Sequence, residues 1–258
     1  MGASAGVMTG SKPAGGMNAY RRLDDYRMEH IMLGGAQVAG SGPATGLPRW
    51  RQQVQYAVGH TLNDFYGLPP EVRRETPVQF LLERRWPPKG NAFPSLMQYW
   101  DVKQAVADEL MRIVAVNHTG ELPVMRYEQW HVKVPELSVE LAVIFQLAWS
   151  PQQKGRSLNI QKFMVQGSDE VITGFMHMAN VFSHMAYGEP ADTIEIYSLL
   201  DGRRHRVEGA DLPLQESLDY VQLLSVFLER EAGAQGCPCC GGGKNERDDS
   251  VLRGYGLM

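Results

Sequence analysis

Apolar residues recur every three or four positions along much of this chain, and two or more apart elsewhere, so helices and strands can be read directly from the pattern. Between Trp50 and Tyr66 the positions Val54, Ala57, Val58, Thr61, Leu62, Phe65 and Tyr66 lie on one side of a helix, which Gly67 and Pro69-Pro70 terminate. Thr76-Pro77 opens another helix running to Trp86 and stopped by Pro87-Pro88. A longer one is predicted from Phe93 to Val116, with Leu96, Tyr99, Trp100, Val102, Val106, Leu110 and Ile113 along one side. Nearer the start, Tyr20, Leu23, Tyr26, the stem of Arg27, His30 and Ile31 predict a helix over 19–33, ended by Gly34-Gly35. The Gly- and Pro-rich segment 36–48 then reads as an exposed loop.

After Thr119-Gly120 the period changes to two and β-branched residues take over, predicting strands over 124–134, 137–149 and 157–165. A helix over 171–187, strands over 193–200 and 205–208 around Asp201-Gly202, and a helix over 214–231 complete the chain. Helices, a strand meander, then helix, strands and helix describe an α/β (α+β) fold with a mixed central sheet of about four or five strands flanked by helices. Residues 1–18, rich in Gly, Ala and Ser, read as a disordered segment, 19–231 as one domain, and 232–258 as a Gly- and Cys-rich flexible tail.

Composition narrows the classes. The 258 residues, 43% hydrophobic and 21% charged, suit one globular domain. The longest apolar run, Leu137 to Trp149, is interrupted by Ser138, Glu140 and Gln146 and is too short for a membrane helix of about 20 residues. The amino terminus lacks the charged start and apolar stretch of a secretory signal, so no membrane partner and a cytoplasmic location are expected. A net charge of −4 argues against wholesale polyanion binding, although whole-chain charge decides little. A local phosphate-tracking surface needs the pairs Arg21-Arg22, Arg73-Arg74, Arg84-Arg85 and Arg203-Arg204 with Arg206 to converge. All three cysteines fall in Cys237-Pro238-Cys239-Cys240, which excludes a disulfide framework and leaves either an incomplete zinc or iron-sulfur site or a redox-sensitive tail. Met164, Met176, Met178 and Met185 read as core filling, and His177 and His184 as packed or exposed imidazoles.

Gln55 to Tyr66, Val143 to Trp149 and Leu158 to Lys162 carry a further pattern. Together they resemble the RecB-like branch of the PD-(D/E)XK nuclease superfamily, which includes the nuclease domains of AddA and AddB, and the likeness spans most of 20–240. In that family the first helix carries a glycine and a histidine; here Gln55 and Gly59 stand in those places, with His60 displaced by one, while Leu62, Phe65 and Tyr66 fit. Gln146 stands where the family has a metal-binding aspartate, and Ile160, Gln161 and Lys162 where it has an acid, any residue and a lysine, so only the lysine is kept. Met178 and Phe182 replace a later Gln and Tyr. Cys237, Cys239 and Cys240 match the tail part of the family's iron-sulfur ligands, while Asp24-Asp25 lie where the amino-terminal cysteine belongs.

The resemblance implies a restriction-endonuclease-like core whose cleavage chemistry is impaired, because a neutral amide attracts Mg²⁺ far less than a carboxylate. The expected role is DNA binding, through Arg73, Arg74, Arg84 and Arg85, or service as an accessory subunit beside a helicase or nuclease, with no cofactor. The alternatives are a divergent deoxyribonuclease that holds Mg²⁺ or Mn²⁺ through relocated ligands, with His60, Glu128 and Glu140 as candidates, and an interaction module with no nucleic-acid role.

Overall fold

A computed structural model describes residues 20–35, 47–89, 92–116, 122–150 and 158–234. The segments 1–18 and 36–46 and the three cysteines lie outside the described residues. The elements in order are β1 (Arg21–Asp24), α1 (Asp25–Gly35), α2 (Arg49–Gly67), α3 (Pro70–Glu75), α4 (Val78–Arg85) and α5 (Leu96–Val116). They are followed by β2 (Met125–Val134), β3 (Val139–Trp149), β4 (Asn159–Met164), α6 (Asp169–Tyr187), β5 (Thr193–Ser198), β6 (Arg203–Glu208) and α7 (Leu214–Ala234).

The class is mixed α/β, with helices on both sides of one mixed six-stranded sheet. β2 pairs antiparallel along nearly the whole of β3. The other edge of β3 is shared: β1 pairs parallel to Val139–Ala142, and β4 antiparallel to Leu147–Trp149. β5 lies parallel to β4 and β6 antiparallel to β5. One core, containing Met28, Phe145, Ile160, Phe175 and Val221, sits under α1, α6 and α7; the other, containing Val58, Tyr66, Leu110, Trp149 and Phe163, sits under α2, α4 and α5. Among the described residues no helix is long and apolar enough to cross a membrane.

Two elements differ from the sequence reading. The segment 21–24 is a strand, not the first turn of a helix: Leu23 is buried by pairing with β3, and α1 starts only where the Asp25 carboxylate accepts a hydrogen bond from the Tyr26 N–H at 2.8 Å. Pro70 does not merely stop α2; it opens α3, where its missing N–H costs nothing. The sheet accordingly has one strand more than expected, and α7 extends to Ala234, three residues into the segment read as tail.

The β2–β3 pair carries a local slip that shapes everything beside it. Val139, Leu141, Val143 and Phe145 face the α6 core, whereas Leu147 and Trp149 face the α2 core and Ala148 the α6 core. The alternation therefore shifts by one at Gln146. Opposite it Tyr127 also drops out of the ladder, with φ at 49°, so both strands gain one residue at the same level and the register is preserved. A left-handed tyrosine is uncommon, and its ring is held against Gly59 of α2.

Candidate functional site

β1 and β4 approach β3 from the same side, one at each end, and leave a fork between them at the level of Ile144 to Gln146. Beyond Gln161, β4 has no backbone partner on β3, yet Phe163 and Val165 turn their backbone groups to that edge by strand alternation. Two glutamines take the place of the missing strand. The Gln146 amide oxygen accepts the hydrogen bond of the Phe163 N–H. Gln55, from α2, donates to the Phe163 carbonyl at 2.6 Å and accepts from the Val165 N–H at 2.9 Å. Buried backbone groups left unpaired are costly, which explains why amides, each able to mimic a backbone edge, occupy these positions.

Lys162 closes the fork on the α6 side. Its ammonium donates to Asp25 Oδ2 at 2.6 Å, with both side chains almost wholly enclosed, and lies 4.8 Å from the centre of the Phe175 ring. Asp25 Oδ2 also accepts from the Ile144 N–H at 3.2 Å. Glu29, one turn along α1, is buried beside them. Burial pushes its carboxyl above the ordinary range, Lys162 and Arg51 draw it back, and Asp25 adds to the rise. Arg51, at the start of α2, donates to the Gln166 carbonyl, and burial lowers its guanidinium against the pull of Glu29 and Asp201. Asp25 and Lys162 thus pair inside the fold, with Glu29 and Arg51 beside them. Asp24, adjacent, accepts from Arg22 Nε at 2.8 Å and Gln129 Nε2 at 3.5 Å, and burial raises its pKa.

The remaining positions drawn from the resemblance are occupied by packing. Ile160 and Met178 are fully buried in the α6 core, and Phe182 packs edge to face on Phe145 with ring centres 4.9 Å apart. A Cβ at Gly59 would meet the Tyr127 ring at 2.2 Å, so the space that a side chain there would need is filled from β2. His60 lies with its ring centre 4.0 Å from Tyr56 and 5.0 Å from Tyr127. Its Nε2 is buried without a hydrogen-bond partner, and burial, helped by Arg85 and opposed by Asp64, lowers its pKa. Glu128 is exposed on β2 and accepts from Trp130 Nε1 at 3.1 Å, and Glu140 pairs across the sheet with Arg22 and Lys133. The structure brings none of these three into contact with Lys162. The acids it does bring there are Asp25 and Glu29.

The two helical arginine pairs are only partly available to an outside ligand. Arg73 is 2% exposed, donates to the Leu68 carbonyl at 3.1 Å and lies over the Tyr66 ring, so it offers nothing to an outside phosphate. Arg85 grips Asp64 with two hydrogen bonds of 2.7 and 3.1 Å. Arg74 and Arg84 are exposed. His177 meets Ser217 Oγ at 3.0 Å and stacks on Tyr220 where α6 touches α7, as a packed imidazole.

On the opposite face of β4 and β5 runs a second polar chain that sequence reasoning did not single out. Trp149 Nε1 donates to Gln161 Oε1 at 3.0 Å, and Gln161 Nε2 donates to Glu195 at 3.1 Å. Glu195 also accepts from the Tyr197 hydroxyl at 2.8 Å, from Arg204 at 2.5 Å and from Arg206 at 3.4 Å. Burial alone would raise the Glu195 carboxyl, but hydrogen bonds from Arg204, Tyr197 and Gln161 outweigh it and hold the group below its usual range. Burial and the neighbouring carboxylate push the Tyr197 phenol up. Alternation gives the only sequence signal: Gln161 and Glu195 are polar residues at inward positions of otherwise apolar strands.

Divalent-metal chemistry asks for at least two free carboxylates converging on a hard cation. The fork does not fit that demand. Gln146 is neutral and engaged, Ile160 belongs to the core, both Asp25 oxygens already accept hydrogen bonds, and among the described residues no group of three or more His, Cys, Asp or Glu is arranged to hold a metal. Comparison of the chain with protein-family models, with curated proteins and with solved structures found no match.

Proposed function

We propose that this chain is a nuclease-fold protein of RecB type that does not cleave DNA and serves as an accessory subunit of a DNA-processing complex. The observation that carries the reading is the closed fork: Gln55, Gln146 and Lys162, three positions assigned by the resemblance, all spend their polar atoms on the protein itself. The order of elements supports it too, since α2 precedes three antiparallel strands, β2 to β4, and α6 then leads to β5 parallel to β4. A catalytic lysine stabilises charge near the attacked phosphate only if its ammonium is free to face it. Here Asp25 holds it. DNA contact is secondary in this reading, because Arg73 and Arg85 are committed inside the fold or to Asp64.

A divergent deoxyribonuclease with relocated ligands would have to use Asp25 and Glu29, the carboxylates around Lys162. Incubation of fluorescently labelled duplex and single-stranded DNA with the protein and Mg²⁺ or Mn²⁺ separates the two. The expected outcome is no cleavage above a buffer control, and an anisotropy-measured affinity for either DNA no tighter than the non-specific range, about 10 μM, at physiological salt. Metal-dependent cleavage that Asp25→Asn abolishes would establish the enzyme instead.

A further inference from the structure

Helix α4 and the first turns of α5 present four large apolar side chains to solvent, Phe80, Leu96, Met97 and Trp100, which are 60, 62, 74 and 44% exposed. Three features tie them into one surface. Leu96, Met97 and Trp100 share the first turns of α5, Lys103 reaches from α5 to Glu83 on α4 at 2.7 Å, and Phe80 lies one turn before Glu83. Beside Trp100 is a recess of about 120 Å³ lined by Lys89, Phe93, Ser95, Leu96 and Tyr99. Its floor is preformed: Phe93 and Tyr99 meet edge to face at 5.0 Å, Tyr99 packs on Trp86, and the Tyr99 hydroxyl donates to the Pro87 carbonyl at 3.3 Å. Volumes of this size are below those of cofactor or drug-sized ligand sites and suit one inserted side chain.

Charge selects the occupant. Two ammoniums stand over the Trp100 ring, Lys89 at 4.3 Å and Lys103 at 5.3 Å. Lys103 is matched by Glu83, which leaves exposed Lys89, at the lip of the recess, to receive an anion. A single strand of nucleic acid fits poorly, because base stacking needs an open ring face, two ammoniums already stand over Trp100, and the other exposed apolar groups are mainly aliphatic. One carboxylate beside one large apolar side chain fits the recess and its single unmatched cation.

We propose that this recess on α4 and α5 docks a short acidic and apolar peptide segment of a partner protein, with an apolar side chain against Phe93 and Tyr99 and a neighbouring carboxylate on Lys89. This rests on reading the chain as an accessory subunit and names the partner's chemistry. Such an anchor in a pocket, ringed by exposed apolar groups, is the usual source of affinity in a protein interface.

The test is fluorescence anisotropy with a fluorescein-labelled peptide, Glu-Asp-Leu-Phe-Asp-Asp-Leu, beside the same peptide with lysine for each acid and an oligothymidylate of about 15 nucleotides. The acidic peptide is expected to bind in the range of about 10 to 500 μM. Lys89→Glu and Met97→Glu, both at exposed positions, should each weaken it at least tenfold, and added salt should weaken it further. Equal binding of the acidic and basic peptides, tighter binding of the oligonucleotide, or no binding of the acidic peptide at 1 mM, roughly the weak limit for specific recognition, would overturn the proposal. So would a dimer in sedimentation that Met97→Glu dissolves, since a second copy would then cover the face. DNA cleavage found alongside acidic-peptide binding would remove the accessory reading and leave the docking site standing.

Discussion

Replacing Lys162 with methionine is expected to cost about 3 to 5 kcal/mol of folding stability at neutral pH, the range for breaking a buried ion pair by removing one partner. Asp25 and Lys162 are 1% and 6% exposed at the side chain, so little solvent is present to screen the charge left behind. The loss should also depend on pH, through Glu29. Its carboxyl already sits above the ordinary range because it is buried, and Lys162 is the larger of the two cationic influences that hold it down. An acid whose folded pKa is raised binds more protons folded than unfolded, so its stabilising contribution is complete below its unfolded value and is lost as pH rises through the folded value. Without Lys162 that rise steepens. Urea denaturation should therefore show a deficit in Lys162→Met that grows from pH 5 to pH 8, and the added Asp25→Asn, which removes the unpaired charge while its one amide oxygen still accepts from either Ile144 or Tyr26, should recover part of it. A loss below about 1 kcal/mol at both pH values would mean the pair is solvated like a surface bridge.

The second large effect concerns the glutamines. Gln146→Leu leaves the Phe163 N–H without an acceptor, and Gln55→Leu leaves the Phe163 carbonyl and Val165 N–H unpaired. Each orphaned buried group costs about 1 to 3 kcal/mol, and the half-buried position of Gln55 places its two at the lower end, so the double variant should lose about 3 to 6 kcal/mol. Hydrogen exchange localises the cause better than stability does. The Phe163 amide should lose protection in Gln146→Leu and the Val165 amide in Gln55→Leu, whereas unchanged protection at both would show that the edge of β4 is satisfied in another way.

The sequence pattern exposed most elements because each is decided locally: the period of three to four in α2 and α5, and the β-branched alternation of β2 to β4, follow from which side of each segment is buried. β1 was legible only as part of a helix. Tyr20, Leu23 and Tyr26 happen to fall three apart, and its strand state depends on β3, more than 110 residues away in sequence. The fork was hidden for the same reason. Lys162 could be singled out from its neighbours, but its partner is 137 residues earlier, and nothing in the period of α1 marks Asp25 or Glu29 as inward charges. Gln55 and Gln146 looked like losses until the unpaired edge of β4 gave each amide a task. Nor does the sequence show that Arg73 and Arg74 part company: adjacent residues on a helix point in different directions, and Arg73 turns in over Tyr66 while Arg74 turns out.

Calorimetric titration of Mn²⁺ into the wild-type protein tests most directly whether the fork has exchanged metal binding for internal pairing. With Gln146 bound to the β4 backbone and Asp25 held by Lys162, no site tighter than about 1 mM is expected, the weak end of carboxylate-based divalent sites. A one-to-one site of micromolar affinity, lost in Asp25→Asn, would contradict it.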